Sequence, residues 1–282
     1  MRTVLKTGVS VAAGLVLLGQ TALAAPAGPA DLADAANQSW LRVTQQLISA
    51  LPRSVDQPGK DSALLVSFQP QARMNGVFGI ARDPDLGELA RLTARMPGYQ
   101  LPWVLRVRGT GTPQTKALAS GYGLTEQSTR DLAVLKAGTP LPGIAIPGAV
   151  VRKVDGRSAG TFLDIAVKAT GVDRDSVRDL FRPELFDLPG ASAYVVERDG
   201  RPVATALGLR GGGMVAPYYL FALPEVAGQG YAQLAAERLL KDSFATGVKA
   251  ALIGTEPTNE ALARTLGFRT VDTWTTYSAP RG

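Results

Sequence analysis

The densest run of residues able to do chemistry lies between Tyr218 and Tyr231, which reads Tyr-Tyr-Leu-Phe-Ala-Leu-Pro-Glu-Val-Ala-Gly-Gln-Gly-Tyr. An apolar strand ends at Pro224, a short loop carries Gly228 and Gly230, and a long helical pattern follows at once. Glycines remove side chains where backbone must approach a ligand closely. A helix start adds unsatisfied N–H groups and the positive end of its dipole. An anion suits such a place, and a diphosphate suits it well; a plain strand-to-helix turn would carry the same two glycines. Tyr218 and Tyr219 stand on the strand, where alternation turns one of them to each face. Tyr219 is the candidate proton carrier, against the reading that both are core or edge aromatics. Glu225 reads as a loop residue near the helix start, Glu197 as an exposed hairpin charge, and Asn259 as the cap of its own helix.

Composition narrows the rest. The 282 residues include no cysteine and no histidine. That excludes a disulfide framework, a thiolate nucleophile, a Cys/His zinc site and every triad that needs an imidazole. No metal site is expected. The formal charge is +6, and two of the cations, Arg2 and Lys6, lie in an apolar leader. The longest basic cluster is Arg152-Lys153, so the charge is not gathered into a nucleic-acid-binding face. A few placed cations for a phosphorylated cofactor fit it better.

These residues need a frame to position them. Helical spacing marks 31–51, 83–95, 115–120, 161–168, 176–181, 229–244 and 259–266. Strand patterns mark 62–68, 76–80 (opened by an Asn75-Gly76 turn), 102–107, 131–136, 150–154, 193–197, 203–209, 215–223, 249–253 and 268–277. Asp199-Gly200 signals a hairpin between two of these. Residues 25–30 read as a linker, and the Pro/Gly-rich stretch 137–148 reads as a connection between two halves. Leu118-Ala119 to Gly123-Leu124 is echoed by Leu262-Ala263 to Gly267-Phe268, 144 residues later. Both are short helices ending in glycine plus an apolar residue before a strand.

In this context the segment Ala227-Gly228-Gln229-Gly230-Tyr231-Ala232, after Leu220 to Glu225, resembles the acyl-CoA-binding motif of the GNAT superfamily of N-acetyltransferases. Leu266-Gly267-Phe268-Arg269 is similar to that family's closing turn, and the 199–206 hairpin to its central strands. The resemblance covers residues 150–277 well and the first half loosely. It implies an α/β fold with a mixed, mostly antiparallel central sheet flanked by helices, built as two tandem GNAT-like halves. Residues 31–145 would be the degenerate half, and 146–282 the domain with the cofactor motif. It implies direct acetyl transfer from acetyl-CoA to an amine of a small-molecule or amino-acid-like acceptor, with no covalent enzyme intermediate; the alternative is a non-catalytic CoA- or ligand-binding module. Backbone at Leu220, Phe221 and Ala222 would hold the pantetheine arm. Residues Ala227, Gly228, Gln229, Gly230, Tyr231 and Ala232 would hold the pyrophosphate. Two positions depart from the family pattern: its leading Arg/Gln is Ala227, and the Tyr that protonates the departing thiolate in many members is Ala263.

Residues 1–24 carry a cationic start, an apolar stretch over 8–18 and Ala22-Leu23-Ala24, the layout of a secretory signal peptide. This leader argues for export or membrane anchoring, whereas dependence on acetyl-CoA argues for the cytoplasm. No other membrane segment and no nucleic-acid partner are expected.

Overall fold

The computed structural model describes residues 29–280, so the leader and residues 25–28 of the expected linker lie outside the described residues. Pro29 and Ala30, also assigned to that linker, instead open α1 (Pro29–Ser49), where proline is tolerated because a first-turn N–H needs no intrahelical partner.

Eleven strands form one sheet in the order β1-β2-β3-β4-β11-β5-β10-β9-β8-β7-β6. In the first half these are β1 (Val55–Pro58), β2 (Ser62–Val66), β3 (Asn75–Gly79), β4 (Val104–Arg108) and β5 (Glu126–Lys136), with α2 (Leu86–Thr93) and α3 (Pro113–Ser120) between the later ones. In the second half β6 (Ala149–Val154) is followed by α4 (Ala159–Thr170) and the short α5 (Arg174–Val177) and α6 (Pro183–Phe186). The meander β7 (Ser192–Arg198), β8 (Arg201–Gly211) and β9 (Met214–Ala222) comes next. Then come α7 (Tyr231–Ala245), β10 (Ala250–Gly254), α8 (Glu260–Thr265) and β11 (Arg269–Ser278). All pairings are antiparallel except β3–β4 and β9–β10.

The sheet is a mixed, mostly antiparallel one covered on both faces. α1 and α4–α6 share one face, where Trp40, Val43, Phe162, Phe181 and Trp274 belong to a core that crosses both halves. On the other face α7 and α8 cover the second half through Ala235, Leu239, Leu240 and Ala263. There α2 and α3 cover the first half through Leu89, Leu92 and Ala119. At roughly 1.5–3 kcal/mol for each large buried side chain, these layers dominate the folding free energy.

Connectivity repeats. The units β3–α2–β4–α3–β5 and β9–α7–β10–α8–β11 run in the same order, and each ends in a strand inserted beside the other's. β11 lies between β4 and β5, and β5 lies between β10 and β11. The two exchanged strands pair with each other from Arg269↔Val134 to Ser278↔Glu126. The 144-residue echo in the sequence falls on α3–β5 and α8–β11, the equivalent pieces.

The expected Asn75-Gly76 turn is a strand instead. Asn75 is buried, accepts from Ser67 N at 2.9 Å, and donates to the carbonyls of Gln69 and Pro102 at 2.9 and 3.1 Å. Gly76 has φ 153°, and a Cβ there would lie 2.0 Å from the Val104 carbonyl oxygen. Glycine serves close strand approach at this point, not chain reversal. Among the described residues no helix is long and apolar enough to cross a membrane.

Candidate functional site

The site is built where β9 and β10 part. These parallel strands are registered only at Ala250↔Met214 and Ala251↔Val215, yet β9 runs on to Ala222 and β10 to Gly254. A register shift on the other side of β9, between Thr205↔Phe221 and Leu207↔Tyr218, puts one extra residue into the strand. Such a bulge bends a strand away from its neighbour. Its pivot is Tyr219, whose φ of 51° is left-handed and costs a non-glycine residue about 1 kcal/mol or more.

Local contacts hold that strain. Thr205 Oγ1 donates to the Tyr219 carbonyl at 2.8 Å, and the Tyr219 hydroxyl donates to the Leu180 carbonyl at 2.8 Å. Its ring packs 4.5 Å from Phe181 and stacks 6.0 Å from Phe221. Desolvation and the neighbouring Tyr218 push its hydroxyl well above the usual phenol range. Tyr219 is thus a protonated post whose hydroxyl is already engaged. Tyr218, pushed up to about 12 mainly by desolvation, packs against the α1 face. The alternation of the sequence would have sent the two tyrosines to opposite faces; the bulge keeps both rings on this one.

Leu220, Phe221 and Ala222, the three residues expected beside a pantetheine arm, are each partly exposed along the parted edge. Past Leu223 the chain makes a turn of 3-10 helix at Pro224–Val226 and enters the glycine loop. Ala227, Gly228 and Gln229 are exposed, while Tyr231 is buried and can offer a ligand only its backbone N–H. Gly228 and Gly230 both take left-handed backbone, at φ 74° and 87°. Gly230 caps α7, and no side chain caps it in return. The first amides of α7, at Tyr231, Ala232 and Gln233, have no intrahelical acceptor by geometry. The Gln229 side chain does not face outward freely: its amide donates to the Glu225 carbonyl at 3.0 Å and closes the loop.

The 137–148 connection forms a wall of this loop, a role that sequence reasoning did not assign. A Cβ on Gly230 would lie 2.3 Å from Ile144 Cδ1 and 3.6 Å from Ile146 Cδ1. The buried Glu237 carboxylate of α7 anchors this strap by accepting from Gly143 N at 3.0 Å and Ile144 N at 3.4 Å. It also takes Gln233 at 2.9 Å and Lys241 at 3.4 Å.

Past β10, the Asn259 side chain does not cap α8. It reaches back instead, accepting from Glu256 N at 2.8 Å and donating to the Gly254 carbonyl at 3.2 Å. Ala263 is a core residue of α8, 2% exposed. Among the described residues no group of acidic side chains is arranged to hold a metal ion.

Comparison with known proteins agrees with this geometry. The family model for the acetyltransferase (GNAT) domain matches residues 151–259. A GCN5-related N-acetyltransferase from Kribbella flavida superposes with a TM-score of 0.65 at 18% identity, over 89% of this chain and 96% of that one. A GCN5-related N-acetyltransferase from Sphaerobacter thermophilus gives 0.54 at 14%, over 89% and 93%. A conserved protein of unknown function from Staphylococcus epidermidis gives 0.59 at 9%, over 80% and 93%. Identities this low speak for the fold alone. No curated protein matches the sequence.

Proposed function

We propose that the protein, whose residues 151–259 match the GNAT acetyltransferase domain model, transfers an acetyl group from acetyl-CoA directly to an amine of a small-molecule or amino-acid-like acceptor. The observation that carries this reading is the parting of β9 from β10 directly ahead of an uncapped glycine loop. Acetyl-CoA brings its own reactive thioester, so direct transfer needs no cysteine or histidine nucleophile, and the chain has neither.

The chain's own residues then have defined work. Backbone of Leu220, Phe221 and Ala222, unpaired on the β10 side, holds the pantetheine arm as an added strand. Amides from Gly228 to Ala232 hold the pyrophosphate, with no side chain at the two glycines to exclude it. A β9 amide at the bulge would polarise the thioester carbonyl, an oxyanion-type contribution worth on the order of 3 kcal/mol. Tyr219 keeps that amide in place as a positioning residue. Tyr218, protonated at neutral pH, would hold a proton for the leaving thiolate. In this reading the first half belongs to the same protein unit as a degenerate GNAT-like copy. The repeated connectivity and exchanged strands support that view.

A specific observation favours a second reading, a non-catalytic module that binds CoA or a related ligand. Ala263 is buried where many members place the proton-donating Tyr, and Ala227 adds no side-chain contact to the phosphates. Calorimetric titration of the purified protein with acetyl-CoA separates these outcomes. Saturable heat followed by thiol release with amines supports the transferase. Heat without turnover across an amine panel supports the binding module. Absence of both heat and thermal shift sinks both.

A further inference from the structure

Two arginines stand two residues apart on β4, facing α1, and their surroundings differ sharply. Arg108 is paired twice: its Nε donates to Asp272, and its Nη1 lies 2.6 Å from Asp34. Arg106 has no carboxylate of its own. Its Nε donates to Thr276 Oγ1 at 3.0 Å, and its guanidinium lies 5.3 Å from the Trp40 ring, 5.3 Å from Trp274 and 5.7 Å from Phe78. Burial draws this cation down to about 10, so it remains charged at neutral pH. Glu256 is the anion whose field reaches it, and Glu256 already bridges Arg130 at 3.3 Å. Arg73 and Arg130 add two more positive charges nearby. Of the charges whose fields act on Arg106, two are cations, Arg73 and Arg130, and one is a carboxylate, Glu256.

A mostly shielded guanidinium without a counter-ion is costly, and stacking on aromatic rings offsets only part of that cost. The terminal nitrogens Nη1 and Nη2 have no protein acceptor among the described residues. They are also absent from the sealed, unsatisfied polar atoms, so solvent reaches them. Three rings fix the guanidinium plane while its fork stays open, a pre-organised arrangement for a planar anion. In the sheet β11 and β5 separate β4 from the parted strands, and Trp274 of β11 links the two places. The Trp274 ring beneath the fork rests on Gly254 at the end of β10, where a Cβ would lie 2.9 Å from Cζ3. Tyr218 of β9 is among the groups that Arg106 senses.

We propose that Arg106 is the specificity-determining residue of the acceptor site and that the acceptor is an amine carrying a carboxylate, an amino acid, whose carboxylate is gripped by the Nη1/Nη2 fork. This rests on the transferase reading above for the word acceptor; the anion site itself does not. Arg73 and Arg130 contribute long-range attraction, and the three rings exclude water from the pair. The first half of the chain thereby supplies the acceptor-reading residue and the second half the cofactor loop. Neither half would be a complete enzyme alone.

The test compares α-amino acids with their α-amides, which lack the carboxylate charge, on the full chain, by calorimetry with and without CoA present and by acetyl-CoA turnover. The acids are expected to bind and react at least about tenfold better than the amides. Arg106→Gln should abolish that preference, and Arg106→Lys should keep part of it. Thr276→Val, which leaves the cation and its rings in place, should reduce it by a smaller factor and guards against a folding defect in the first variant. Acetyl-CoA affinity should stay unchanged in all three. Equal binding of acids and amides by the wild type, or a preference that survives Arg106→Gln, would overturn the proposal. If acetyl-CoA gives no heat while acids still bind through Arg106, the transferase reading falls and the anion site stands. If acetyl-CoA binds and acids do not, the reverse holds.

Discussion

The repeated units β3–α2–β4 and β9–α7–β10 share a connectivity and differ in whether they are closed. In the first, the parallel strands are zipped over four registered pairs, from Gly76↔Val104 to Gly79↔Val107. The helix that follows β3 is capped from within: the Asp85 carboxylate accepts from Gly87 N at 2.8 Å and Glu88 N at 3.1 Å. In the second, pairing stops after two registered pairs and the helix is capped by a glycine with no side chain. The first unit thus carries its own anion where the second has room for one. A binding site on this frame needs three local departures, namely a bulge at Tyr219, a parted strand pair and an uncapped helix start. The frame alone does not make one.

The largest effect expected from breaking this contrast is at Glu237. Its carboxylate is 1% exposed, anchors the strap that walls the glycine loop, and is the second unit's counterpart to the loop-clamping Glu88 of the first. Glu237→Ala leaves two backbone amides of the strap unsatisfied and should cost about 2–4 kcal/mol of stability. Lys241→Ala, which removes only the exposed partner, should cost under about 0.5 kcal/mol. Denaturant unfolding of both variants checks this; equal losses would mean that the ion pair, not the strap, is what Glu237 serves.

Next in size is Gly228→Val. Nothing lies within 4 Å of a Cβ at this position, but its φ is 74°. The side chain should therefore cost about 1–2 kcal/mol in strain while projecting into the loop's open side. Acetyl-CoA affinity should fall by about tenfold to a hundredfold, an effect of about 1.4–2.7 kcal/mol on binding. An unchanged dissociation constant would remove the loop from the site and with it the functional half of the contrast.

What the sequence disclosed about this contrast is uneven, for physical reasons. The second unit was readable because its signals are local: an apolar run, two glycines, a helix start. Ten strands and the principal helices fall close to where periodicity puts them. β1 was missed because it is a four-residue edge strand with alternating exposure, Val55–Pro58, carrying Asp, Gln and Pro. β5 was cut short at Asp131 because Glu126 to Thr129 are polar and exposed, and only the ladder to β11 keeps them extended. Strand exchange, the strap wall and the aromatic box around Arg106 are assembled from residues far apart in the chain, as Trp40 and Trp274 are, so no window over the chain could show them. Asp85 was the missed clue within reach. A carboxylate just ahead of an amphipathic helix signals a filled cap, and its replacement by Gly230 in the echoing unit signals an empty one.

Filling that cap matters to the first unit by a smaller amount. Asp85→Ala should cost about 1 kcal/mol of stability, visible as a lowered melting temperature, and leave acetyl-CoA binding untouched. Loss of acetyl-CoA affinity in this variant would show that the first unit is not a closed copy.

The smallest expected effect is the acid sensitivity of Glu88, three residues further on. Its carboxylate ties α2 to the β1–β2 turn, accepting from Lys60 N at 2.7 Å, from Asp61 N at 3.3 Å and from the Ser62 hydroxyl. Burial alone would raise this carboxyl, but the hydrogen bonds from Ser62, Lys60 and Asp61 and the charge of Arg91 outweigh it and hold it below its usual 4.5. A group depressed in the folded state stabilises fully above its unfolded value, and that contribution is lost as pH falls through the depressed folded one. The wild type should therefore lose melting temperature on acidification below about pH 4.5, and Glu88→Gln should show a flatter profile over the same window. Because Glu88 serves only the closed unit, acetyl-CoA affinity measured at neutral pH should be the same in both proteins. A variant that kept the wild-type acid slope would place the acid-sensitive carboxylate elsewhere in the fold.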